Sequence, residues 1–95
     1  MSKKFTLQEL IDGPNGKCGA KLVLNEGDAN LREELITFAQ NHRPAGAERA
    51  ANQLVAKRTM GSNKRSILPK ATYRLAMIRR DYTDDFNQLV GITNQ

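Results

Sequence analysis

"AKLVLN", residues 20–25, decides whether this chain is helical throughout or mixed. Its apolar residues alternate weakly, as in a strand with one buried face. "NEGD", residues 25–28, follows as a turn. No second run of β-formers is present to pair with it. A strand here would have to pair across a homodimer, or else lie as an extended arm. Outward from this stretch, the apolar residues recur at helical spacing. The expected fold is therefore all-α, a small bundle of four to five short helices with or without one extended segment near residues 20–25.

Toward the N-terminus, "FTLQELID" (5–12) reads as a short helix. Thr6 can cap it, Glu9 completes a capping box three residues later, and Phe5 precedes the cap as a staple. Leu7, Leu10 and Ile11 form its apolar stripe. "GPNGKCG" (13–19) then invites comparison with a phosphate-binding loop. A Walker motif needs glycine five places before its Gly-Lys pair and a hydroxyl just after it. Those positions hold Ile11 and Cys18. A helix rather than a buried strand leads into the loop, so its glycines are read as turn residues supplying positive φ.

Toward the C-terminus, a second helix begins near Asn30, capped by Asn30 or Asp28, with Glu33 and Glu34 favouring its positive end. Leu31, Leu35 and Phe38 line one face, with Ala39 at its border. His42 near its end reads as a carbonyl-capping residue. Pro44 disfavours helical geometry at Arg43, and a third helix runs from about Ala45 to Arg58. Its Ala47, Ala50, Ala51 and Leu54 face is small enough for close helix approach. Arg49, Asn52, Gln53 and Lys57 occupy the opposite face. A basic loop over 59–68 contains "TMGSNKRS". A fourth helix is expected from Pro69, in its first turn, to about Tyr82. Ala71, Leu75, Ile78 and Tyr82 would face the core, and Lys70, Tyr73, Arg74, Met77 and Arg80 would lie opposite. Thr83 can cap a last short helix, with Asp84 and Asp85 in its first turn, Phe86, Leu89 and Val90 apolar, and Gly91 ending it. One domain, 1–95, is divided into segments 1–29, 30–58, 59–68 and 69–91.

Composition limits the function. With 39% hydrophobic residues and a mean hydropathy of −0.59, the chain belongs to the soluble globular class. Its five aromatics leave the core to Leu, Ile, Val and Ala, which suggests stability near the low end of the usual ~5–15 kcal/mol. One cysteine forms no internal disulfide, and Cys18 with His42 falls two ligands short of a structural zinc site. No cofactor or metal is expected. The N-terminus lacks a signal-peptide apolar run, and no eighteen consecutive residues are apolar; a cytoplasmic location and no membrane partner are expected. Asp84-Asp85 and Glu33-Glu34 are explained by helix dipoles, and no nucleophile or acid–base constellation appears, so the chain does not read as an enzyme.

The charge is unevenly placed. Residues 1–42 hold five cations and six carboxylates, whereas residues 43–80 hold ten cations and only Glu48. Between Glu48 and Asp81 nine Lys or Arg residues occur without one carboxylate. Such a block costs self-repulsion, and a polyanionic partner is the common reason to keep it. The expected function is nucleic-acid binding by a small DNA-binding regulator of transcription, with DNA favoured over RNA and the block at 49–80 contacting phosphates.

The second helix, "HRPAG" and the third helix resemble a helix-turn-helix in spacing, with Pro44 unusual in the turn. Arg49, Asn52 and Gln53 would then read bases, since Arg pairs with guanine and Asn or Gln with adenine. Lys57, Lys64, Arg65, Lys70, Arg74 and Arg80 would hold phosphates, and Tyr73 would stack. The alternative is a protein-binding regulator or inhibitor that docks its basic face on an acidic surface of an enzyme or polymerase. In that reading Tyr73 and Met77 would be the interface anchors.

Overall fold

Ala20 and Val23, three residues apart, are fully buried, while Lys21 and Asn25 between and beyond them are exposed. That is helical spacing, and "AKLVLN" is a helix. A helix satisfies its own backbone hydrogen bonds, whereas a lone strand would have left them unpaired against the core. The structure, a computed structural model, describes residues 5–26, 29–57 and 62–91. Among these residues the fold is all-α, with no strand. Its helices are α1 (Leu7–Asp12), α2 (Ala20–Glu26), α3 (Ala29–Asn41), α4 (Pro44–Lys57), α5 (Ser62–Asp81) and α6 (Thr83–Leu89), with a 3-10 turn at Pro14–Gly16. The four to five expected helices become six because α2 replaces the extended segment.

The longest helix, α5, runs through the middle and packs against each of the other five, most extensively against α4. Leu68, Pro69, Ala71, Thr72, Leu75, Ala76, Met77 and Ile78 are all buried, so α5 is covered around most of its circumference. Met77 therefore lies in the core at 4% exposure, and not on an outer basic face. Thr72 hides its hydroxyl by donating to the Leu68 carbonyl at 2.9 Å. The Cα radius of gyration is 12.2 Å, close to the ~12 Å of a compact domain this long.

α5 starts earlier than its proline suggests. Residues 62–68, expected as loop, form its first turns, and Pro69 lies inside the helix. An interior proline costs about 3 kcal/mol relative to alanine. Burial of Leu68 and Pro69, with Ile67 half-buried beside them, offsets that cost. Residues 59–61 of the expected loop lie outside the described residues.

Two caps differ from expectation. Asn30 lies within α3, which begins at Ala29, and Asp28 is outside the described residues. Thr83 donates its hydroxyl to the Arg79 carbonyl at 2.9 Å, so it finishes α5, while Tyr82 holds the N-cap of α6 without a side-chain cap. Other local readings hold. Thr6 and Glu9 form the capping box of α1. His42 Nδ1 lies 2.9 Å from the Phe38 carbonyl, capping α3, and its ring meets Phe38 edge-on at 5.5 Å.

The glycine-rich loop folds α2 back against α1. Gly13 has φ +75°, and a Cβ there would lie 1.9 Å from the Lys17 carbonyl oxygen. A Cβ on Gly19 would lie 2.2 Å from the Ile11 carbonyl oxygen. These glycines permit a backbone crossing, which is why the segment is so rich in them.

Candidate nucleic-acid interface

Pro44 occupies the first position of α4, where its missing N–H costs nothing. Alanines then carry the helix. Pro44, Ala47, Ala51 and Val55 are buried, and the short side chains let α4 lie close along α5. Ala50 and Leu54 flank that seam half-buried. Arg49, Asn52, Gln53 and Lys57 are all exposed on the other side. Arg49, Gln53 and Lys57 follow one another at i, i+4 and i+8, a single ridge spanning about 12 Å. Asn52 flanks it. Among the described residues neither Arg49 nor Lys57 is ion-paired.

The link before α4 is short. α3 ends at Asn41 and α4 begins at Pro44, leaving His42 and Arg43 between them. The Arg43 carbonyl accepts the Ala47 N–H at 2.8 Å, which places Arg43 at the N-cap. "PAG" thus belongs to the helix, and the turn is tighter than the spacing suggested.

The remaining candidates on α5 fall within one arc of the helix but differ in burial. Lys70 and Arg80 are exposed, whereas Tyr73 and Arg74 are half-buried. Tyr73 packs against the core, so it is not a free stacking ring. Arg74 donates from Nη1 to the Cys18 carbonyl at 3.3 Å, and its guanidinium lies 5.9 Å from the Phe5 ring centre. It clamps the N-terminal segment onto α5. Arg79 follows Arg74 by five positions, about 140° around the helix, so these two arginines serve different sides. Arg80 makes two hydrogen bonds to the Asp81 carboxylate, at 2.9 and 3.1 Å. The hydrogen bond to Asp81, assisted by its charge, raises the Arg80 pKa above the ordinary value despite slight desolvation. The side chains of Lys64 and Arg65, on the first turns of α5, lie outside the described residues.

Sequence reasoning passed over two arginines. Arg43, from the α3–α4 link, and Arg79 line one cleft with Arg80 and His42. Arg79 was legible as part of the acid-free block, but its meeting with Arg43 depends on how α3 and α4 lie against α5.

Comparisons with protein-family models, curated proteins and solved structures find no match to this chain. Among the described residues, no three His, Cys, Asp or Glu side chains are placed to hold a metal ion, and no helix is long and apolar enough to cross a membrane.

Proposed function

We propose that this protein is a small DNA-binding regulator whose α4 lays its outer ridge against duplex DNA. The observation that carries this reading is the two-sidedness of α4: Ala47, Ala51 and Val55 fix it to α5, while Arg49, Asn52, Gln53 and Lys57 project into solvent. Arg49 and Lys57 neutralise phosphates, releasing counterions, and Asn52 and Gln53 reach base edges as paired donors and acceptors. Lys70 adds exposed charge on α5. Docking on an acidic protein surface is the weaker reading, because burial of Met77 and partial burial of Tyr73 remove the anchors it needed.

The test is a mobility shift on a labelled duplex across a salt series. Each phosphate contact adds about 0.9 to the slope of log affinity against log salt. The double variant Arg49→Gln/Lys57→Gln should lower that slope by roughly 1.8 and weaken binding to all sequences alike. Asn52→Ala or Gln53→Ala should cost about 1–3 kcal/mol on a preferred site and little on random sequence. Absence of any shift at ~150 mM salt would overturn the proposal.

A further inference from the structure

Where the α3–α4 link meets the C-terminal end of α5, the fold leaves an open cleft of about 380 Å³. Its wall carries Arg43, Arg79 and Arg80, with Gln40, Asn41 and His42. All three arginines are exposed. Arg80 is held by Asp81, the carboxylate that faces this group, so its charge is largely matched there. Among the described residues Arg43 and Arg79 have no carboxylate partner. The carbonyl end of α3 and the amide end of α4 meet at the link, and their opposite dipole charges offset one another. Side chains therefore decide the sign of the cleft, and two unmatched guanidinium groups make it positive.

We propose that this cleft is a binding site for a phosphate group. Guanidinium is the side chain best matched to phosphate, because its planar N–H donors engage two oxygens at once. Arg43 and Arg79 approach from different elements, so the oxyanion is gripped from two sides. The Gln40 and Asn41 amides supply neutral donors. The Arg80–Asp81 pair holds Arg80 in place at the rim. The phosphate belongs either to a nucleic-acid backbone or to a small phosphorylated ligand; the chemistry of the grip is the same. The site is separate from the α4 ridge and does not rest on it.

The test is a titration of the folded protein with inorganic phosphate at constant ionic strength, followed by amide NMR signals, beside a titration with a short duplex. Saturable shifts should centre on Asn41, His42, Ala76 and Arg79. Arg79→Gln and Arg43→Gln should each weaken phosphate binding by roughly tenfold or more, the usual effect of losing a hydrogen bond to a charged group. Lys21→Gln, an exposed cation on α2 outside the cleft, should leave phosphate binding unchanged. A matched loss of duplex affinity in Arg79→Gln identifies nucleic acid as the source of the phosphate; unchanged duplex affinity identifies a small ligand. Phosphate binding that persists without any duplex binding would sink the α4 reading and leave the cleft standing. Non-saturating shifts spread equally over the ridge and the cleft, or full phosphate affinity in Arg43→Gln/Arg79→Gln, would overturn the site. Both arginines are exposed, and the Arg79 carbonyl bonded by Thr83 is main chain, so the variants keep the fold.

Discussion

Arg74 and the glycines of the first loop perform structural work that a charge or motif reading assigns elsewhere. Arg74 joins α5 to Cys18 through one hydrogen bond and to Phe5 through a cation–π contact. Arg74→Ala should cost about 1–2 kcal/mol in urea unfolding, from loss of both contacts, while leaving the salt slope for duplex binding unchanged. A drop in that slope with no loss of stability would return Arg74 to the binding surface. The glycines divide in the same way. Gly16, at φ +73° with open space around it, should lose about 1–2 kcal/mol on change to alanine, the cost of left-handed geometry. Gly13→Ala and Gly19→Ala should each lose more, because their new Cβ atoms would overlap backbone that cannot yield cheaply. The urea midpoints of the three variants check that order.

At the scale of elements, α4 separates stability from binding. Ala51 is completely buried in the seam that holds α4 to α5. Ala51→Leu should destabilise by about 1–3 kcal/mol through overpacking, read as a lowered melting temperature. Arg49→Gln/Lys57→Gln, on the exposed ridge of the same helix, should stay within about 0.5 kcal/mol of wild type. The periodicity of "PAGAERAANQLVAK" made this division legible, since Ala47 and Ala51 recur four apart while Arg49, Gln53 and Lys57 form their own row. The face of α5 was less legible. Five neighbouring helices surround it, so Met77 is buried although Lys70, Tyr73 and Arg74 lie around it on the helical wheel. A two-sided wheel describes a helix at the edge of a bundle and fails for one at the centre.

For the whole molecule, centrality makes α5 the element whose loss is felt everywhere. Leu75 is fully buried within it, and Leu75→Ala should cost about 2–5 kcal/mol. Against a total of ~5–15 kcal/mol, built mainly from aliphatic side chains, that change should leave the protein marginal at 37 °C. Because α5 touches every other helix, unfolding should be a single transition. Tyr82, which donates to the Phe5 carbonyl at 3.3 Å and so ties the end of α5 to the start of α1, supplies a tertiary probe. Its near-ultraviolet signal should vanish at the same temperature as the far-ultraviolet helix signal. Two separated transitions would show that the terminal helices fold apart from the α4–α5 pair.

The local determinants are contained in the sequence. The Thr6–Glu9 box, the His42 cap and the small-residue seam of α4 depend on residues within a few positions of one another, so spacing is enough to find them, and the acid-free block between Glu48 and Asp81 is found by counting charge along the chain. Other features depend on what lies across the fold. "AKLVLN" is compatible with strand or helix until α1, α3 and α5 take Ala20 and Val23 into the core, and an unpaired strand would leave its amides unsatisfied there. Helix continues through Pro69 because tertiary burial exceeds its local cost, a balance that propensity alone does not contain. Arg43 and Arg79 become neighbours on one cleft only when the α3–α4 link closes on the end of α5. Charge can be counted along a chain, but its convergence in space is decided by packing.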